Sequence, residues 1–211
     1  DGICVHLNPA HELAQPEGDR NFGGILDALG RLCAALPEQV LVKEVGHGIG
    51  PQVVKQLSDL GVKYIDVAGS GGTSWTKVEA RRAGDSAGAR TGEVFGDWGI
   101  PTAPAVIAAR DAAPGATIIA SGGIGSGLDM ARAIAIGADA CGLARPVLLS
   151  FEQGGEAGAG RLVKQLGYQL KCAMLLTASR DIASLKCARR VYTSNLAEWV
   201  DGLSTGKREG E

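Results

Sequence analysis

The chain has 211 residues, 45 % of them hydrophobic, with 21 lysines and arginines against 23 aspartates and glutamates. That composition is enough for a real core and excludes a disordered tract, and a net charge of −2 gives no global attraction to nucleic acid or an anionic membrane. No apolar run reaches the roughly 18 residues that would span a bilayer, and the start, Asp1 to Val5, lacks the charged and apolar regions of a signal peptide, so the expectation is a soluble cytoplasmic protein.

A short apolar run, Ile3 to Leu7, is followed by a polar loop and then by Phe22, Ile25, Leu26, Leu29, Leu32, Cys33 and Leu36, spaced by three and four as on one helix face. Val40 to Val45 is the next apolar run. Gly50-Pro51 then opens a helix bearing Val53, Val54, Leu57 and Leu60, and Gly61 stands where a C-terminal cap belongs. Tyr64 to Ala68 makes a third strand. The stretch from Gly84 to Gly99, rich in glycine and charge, reads as a long loop of the kind that forms lids or binding loops. A helix over Pro104 to Ala113, capped by Thr102, leads to a strand at Thr117 to Ala120; a helix with Leu128, Ala131 and Ile134, ended by Gly137, leads to a strand at Ala138 to Leu143. A long helix is expected from Ala159 to about Ala178, and a shorter helical tail from Asp181 to Trp199. The cysteines, Cys4, Cys33, Cys141, Cys172 and Cys187, are odd in number and show no Cys-x-x-Cys pair, which argues for reduced, mostly buried thiols.

Continuously apolar strands alternating with amphipathic helices describe a parallel sheet covered by helices, either doubly wound or a (β/α)8 barrel. Polar residues and glycines follow the C-terminal end of every strand: His6 and Asn8, Lys43 and Glu44, Gly69 to Thr73, Ser121 to Gly123, and Ala144-Arg145. A barrel enzyme places its site there, whereas a Rossmann domain concentrates its glycines after the first strand. The expectation is an α/β TIM barrel, of which five β/α units are countable, in a single domain over 1–211. Ser121-Gly122-Gly123-Ile124 and Gly142-Leu143-Ala144-Arg145 end consecutive strands. Glycine lets backbone N–H groups approach a phosphate, and the next helix offers its positive end, so the pair describes a barrel phosphate site; a mere tight turn is the alternative.

His6-Leu7-Asn8-Pro9, Gln15 to Arg20, Val42-Lys43-Glu44-Val45-Gly46, Ile65 to Trp75, Asp97 to Thr102, Ala120 to Ile124 and Gly142 to Pro146 appear in an order that resembles type 2 isopentenyl diphosphate isomerase. The resemblance implies strands four to eight of that family's barrel, an FMN-binding domain truncated at its N-terminus, and an enzyme that interconverts isopentenyl and dimethylallyl diphosphate with reduced FMN, Mg²⁺ and NADPH as reductant. It implies that Lys43 and Thr73 contact the flavin ring, and that Gly122, Gly123, Ala144 and Arg145 hold its phosphate. On the substrate side it implies His6, Asn8, His11 and Trp75, with Glu12 as the Mg²⁺ ligand; one carboxylate suffices for an ion completed by phosphate and water. It further implies a small diphosphate substrate and a homo-oligomer at full length. The sequence departs from the family at His11, which stands where glutamine is usual and is the candidate catalytic group, and at Gly125, where arginine is common. Another FMN barrel, such as a 2-hydroxy-acid oxidase, would share the phosphate site and flavin lysine, but the His base and Arg pair associated with that chemistry are not found. An inactive, incomplete barrel is the third reading. For Lys43 alone, a salt bridge to Glu44 or Asp66 is the competing role.

Overall fold

The computed structural model describes residues 2–84 and 86–204. Five parallel strands form one sheet in chain order: β1 (Ile3–His6), β2 (Val40–Lys43), β3 (Tyr64–Asp66), β4 (Thr117–Ala120) and β5 (Ala140–Cys141). Sequential parallel neighbours joined by helices are the pattern of a TIM barrel, of which these are five of eight staves. A doubly wound sheet would reverse its strand order part-way, and this one does not.

Register explains how the sheet presents chemistry. His6 pairs with Lys43 and Lys43 with Asp66, so the three stand in one row at the C-terminal end of the sheet. The alternate positions, Val40, Val42, Ile65, Ile118 and Ala120, are fully buried beneath the helices. The face carrying the charged row is only partly covered: Leu41 and Ile119 are half-buried and Tyr64 is exposed. The sheet is therefore buried on its helix side and only partly covered on the other.

Helices α2 (Ile25–Ala35), α3 (Pro51–Asp59), α6 (Thr102–Ala112) and α7 (Gly127–Ala135) follow the expected stripes. Leu29, Val54, Leu57, Val106 and Ala109 are their core contributions. Pro51 sits in the first turn of α3, where its missing N–H costs nothing, and Gly61 and Gly137 turn with φ of +93° and +124° just past helix ends.

Several expectations are corrected. The polar stretch after β1 contains a short helix, α1 (Pro9–Ala14), because Asn8 caps it with its side chain and Pro9 fixes the first turn. The Gly84–Gly99 loop is largely α5 (Ala87–Phe95), capped by Ser86 and packed on α1 and on α4 (Trp75–Arg82). Its glycines misled the reading: at Gly88 and Gly92 an added Cβ would meet Ala14 O at 2.7 Å and Ala80 Cβ at 2.8 Å, so they permit close helix packing rather than flexibility. Trp75 is the first residue of α4, capped by Ser74. Thr102 is not a cap; Pro101 takes that place, and the Thr102 hydroxyl donates to the carbonyls of Ser121 (3.2 Å) and Gly122 (2.6 Å). The long helix, α8 (Arg145–Leu176), starts immediately after the Gly-Leu-Ala run and is interrupted at Gly154 and Gly155, and the tail is two helices, α9 (Ile182–Lys186) and α10 (Asn195–Ser204). Of the free cysteines only Cys33 is buried, and Cys4 and Cys187 are exposed. None of the helices among the described residues is long and apolar enough to cross a membrane.

Candidate active site

All the candidate residues lie at the C-terminal ends of the strands. Two areas result, one around the β1 and β2 ends and one around β4 and β5.

At the first, His6 ends β1, and one turn of α1 brings Glu12 back to it, with His6 Nε2 and Glu12 Oε1 at 3.2 Å. Glu12 Oε2 accepts the Asp19 N–H at 3.1 Å. Burial pushes the Glu12 carboxyl up, but the Asp19 N–H and His6 outweigh it and leave its pKa below the ordinary value. His11 lies beside them, its ring 6.3 Å from that of His6 and 6.4 Å from Trp75, both edge-on. Among the described residues His6, His11 and Glu12 are the one group of three metal-ligating side chains whose ligand atoms all fall within 4.8 Å. His11 Nε2 is 3.2 Å from the Gln15 amide and 3.8 Å from Glu79 Oε1, while its Nδ1 is buried without a partner. Burial lowers the His11 pKa against the opposing pull of Glu79 and Glu12, so the imidazole is neutral at neutral pH.

Asn8 departs from the expectation of a substrate contact. It is 4 % exposed, and its side chain is spent inside the protein. Its Oδ1 accepts the His11 N–H at 2.7 Å, and its Nδ2 donates to Glu44 Oε1 and, at 2.7 Å, to His47 Nδ1. In this arrangement it fixes α1, and so His11 and Glu12, to the end of β2.

Sequence reasoning missed the partners of that lock. Glu44 is buried, and its other oxygen accepts the N–H groups of Val45, Gly46 and His47. Burial nevertheless raises its pKa above the carboxylate norm, against those bonds. Burial lowers that of His47, and the nearby Gly96 and Phe95 carbonyls pull the other way without reaching hydrogen-bond geometry at Nε2. Glu79 is also buried, held by Arg82 at 2.8 and 3.0 Å. A polar residue directly after a strand, followed by Gly-x-Gly, was the signal available for Glu44: successive backbone N–H groups in such a turn converge on an anion.

Lys43 is half-buried in the row between His6 and Asp66, and no carboxylate of the described residues lies within 4 Å of its ammonium, so neither competing salt bridge is formed. Burial raises the Asp66 pKa, opposed by the Ser121 hydroxyl, which donates to it at 2.7 Å. Thr73 is exposed on the loop after β3, and its carbonyl crosses Gly46 so closely that a Cβ there would come within 2.7 Å.

At the second area the loops after β3 and β4 pack backbone to backbone. Gly122 and Gly123 have φ of +95° and +84°; a Cβ on Gly123 would meet Gly71 O at 2.5 Å, and one on Gly122 would collide with Gly69 O. These glycines are thus required by internal packing. The phosphate reading draws on different atoms. The backbone N–H groups of Gly122, Gly123, Ala144 and Arg145 have no acceptor among the described residues, α8 begins at Arg145 with no side-chain cap, and Arg145 is exposed beside them. Free donors, a helix start and a guanidinium fit a phosphate group.

The family model described as FMN-dependent dehydrogenase matches residues 20–191. The chain belongs to the FMN-dependent dehydrogenase family. Its sequence relatives include isopentenyl-diphosphate delta-isomerases, in keeping with the resemblance to the type 2 enzymes. That of Stutzerimonas stutzeri is 47 % identical over 92 % of this chain and 56 % of its own, and that of Aeropyrum pernix 45 % over 99 % and 56 %. The chain spans about half the length of these relatives. Among solved structures, the Pediococcus acidilactici protein described as a lactate oxidase shares the fold with a TM-score of 0.64 at 21 % identity, covering 85 % of this chain and 43 % of its own. A mandelate oxidase with a monooxide FMN adduct gives 0.61 at 20 %, covering 85 % and 51 %. At that identity the oxidases speak for the fold alone.

Proposed function

We propose that the chain forms the FMN-binding and cation-binding side of an isomerase that interconverts isopentenyl and dimethylallyl diphosphate, with reduced FMN, a divalent cation and NADPH as the external reductant. One observation carries the reading: the loops that match the isomerase motifs converge at one end of the sheet, with His6, Lys43 and Asp66 in register and Glu12 beside them. The 47 % identity to the Stutzerimonas stutzeri isomerase is more than twice the 21 % identity to the lactate oxidase of the same fold.

Reduced FMN, when bound, supplies the centre at which a proton is exchanged with the substrate. The N–H groups of Gly122, Gly123, Ala144 and Arg145, unpaired among the described residues, would hold its phosphate together with the Arg145 guanidinium. Lys43, in no salt bridge among the described residues, would place a cation at the flavin ring, where the reduced form carries negative charge. Thr73, exposed on the loop after β3, would contact the same ring. Glu12, kept ionised, ligates the cation that carries the diphosphate, and Mg²⁺ is the ion the family would bring there. His6 binds beside it, and His11, neutral and edge-on to Trp75, faces the reacting end of the substrate as a hydrogen-bonding group. Asn8 positions this wall.

The test is turnover by the full-length protein. With reduced FMN and Mg²⁺ it should convert isopentenyl to dimethylallyl diphosphate, and 2-hydroxy acids should not reduce its flavin. Reduction of the flavin by lactate or mandelate without isomerase activity would overturn the proposal.

A further inference from the structure

The side chains gathered at the end of β1 are a poor match to a hard cation. Mg²⁺ prefers oxygen and retains its water, whereas imidazole nitrogen selects zinc, cobalt, nickel and iron. Here two imidazoles and one carboxylate share one face, with all three ligand atoms within 4.8 Å. The His6 Nε2 to Glu12 Oε1 separation of 3.2 Å is close to the roughly 3.4 Å between two ligands of a tetrahedral ion with bonds of about 2.1 Å.

We propose that His6, His11 and Glu12 form a two-histidine, one-carboxylate site for a divalent transition ion of the zinc and cobalt class, with positions left open for an external oxygen ligand. The inference rests on Glu12 as a cation ligand; it changes which ion the site takes and how many protein ligands it has, and it moves His11 from hydrogen bonding the substrate to ligating the ion.

Three features support it beyond proximity. His11 has a buried ring nitrogen, Nδ1, with no partner, while Nε2 lies against Gln15 and near Glu79. A ligating histidine is commonly held in that way, one nitrogen on the metal and the other on an amide or carboxylate that fixes its orientation. The backbone beneath is rigidly set: Asn8 caps α1 through the His11 N–H and is anchored to Glu44 and His47. Finally, His6 is exposed and Glu12 half-buried, so an ion and an anionic ligand reach the group from solvent. Ligand atoms up to 4.8 Å apart have to close to that spacing of roughly 3.4 Å, which side-chain rotation supplies.

The experiment uses the full-length protein stripped of metal, titrated separately with Co²⁺, Zn²⁺ and Mg²⁺ in the absence of substrate. Co²⁺ should bind one to one, with ligand-field absorption that Zn²⁺ abolishes by competition. His11→Gln should weaken Co²⁺ binding at least about tenfold, roughly 1.4 kcal/mol, and leave Mg²⁺ binding within about twofold. His6→Gln should do the same, and Glu12→Gln should weaken both ions. In the unsubstituted protein, NMR should show Zn²⁺ shifting the ring nitrogens of two histidines, a readout that does not depend on the variants folding. Unchanged Co²⁺ affinity in folded His11→Gln, or Zn²⁺ shifting no histidine or one only, would overturn the three-ligand site while leaving Glu12 as a cation ligand. If Glu12→Gln altered neither ion, both readings would fall.

Discussion

Asn8→Ala probes the lock between β1 and β2. The substitution removes the α1 cap, worth about 1 kcal/mol, and strips the donor from two buried acceptors, Glu44 Oε1 and His47 Nδ1. Each orphaned acceptor costs about 1 to 3 kcal/mol. His47 offers partial relief. Its Nδ1 stands 3.9 Å from Glu44 Oε1, so a change of tautomer with a small closure restores one bond. With that bond restored, the cap and one remaining orphan give an expected loss of about 2 to 4 kcal/mol, a substantial part of the roughly 5 to 15 kcal/mol by which domains are stable. Urea unfolding of the full-length protein, followed by far-UV dichroism, measures it as a fall in midpoint at unchanged m-value. Asn8→Asp is the informative partner: it keeps the capping oxygen but sets a second acceptor against Glu44, and should be at least as destabilised at pH near 7 and recover on acidification as one carboxyl takes a proton. A loss below about 1 kcal/mol for Asn8→Ala, or wild-type stability for Asn8→Asp near neutrality, would refute this account of the lock.

Gly122→Ala should destabilise by about 2 to 5 kcal/mol, since φ is +95° and the new Cβ collides with Gly69 O; a calorimetric midpoint within a degree or so of the parent would contradict it. For the same reason Arg145→Gln, not a glycine substitution, tests the flavin phosphate: FMN affinity should fall while the apoprotein midpoint stays put. His47 makes the fold acid-sensitive. Its pKa is lower folded than unfolded, so below about 6.5 the unfolded chain binds the proton first and stability falls as pH drops towards the folded value, by up to about 1.4 kcal/mol per pH unit. Glu44, raised by burial, acts with the opposite sign, losing stability as pH rises through its own window. His47→Gln keeps an acceptor for Asn8 and should flatten the His47 part of the profile below about pH 6.5; an unchanged slope there would be evidence against it.

Strand order, the helix stripes and the strand-end placement of the candidate residues were legible in the sequence because periodicity and burial are local properties. The five parallel strands, with Val40, Val42, Ile65 and Ile118 buried under the helices, follow directly from that pattern. Glycine was the ambiguous letter. In Gly84–Gly99 it signalled a loop, yet at Gly88 and Gly92 it allows α5 to touch α1 and α4, and only the distance between helices tells the two uses apart. Gly122 and Gly123 are set by their contacts with Gly69 and Gly71, which lie some fifty residues away in sequence.

Counting along the strands is enough to put His6, Lys43, Ser121 and Arg145 at the C-terminal end of the sheet, whereas Asp66, read as the middle of its strand, joins them only through the register. Tertiary structure alone decided their duties. Asn8 faces inward because Glu44 and His47 need its amide, and burial of those two groups makes an unsatisfied partner too costly to leave. Conversely, His6, His11 and Glu12 become a group only when a turn of α1 folds Glu12 back onto the end of β1, a proximity that depends on the Asn8 cap and on no spacing rule.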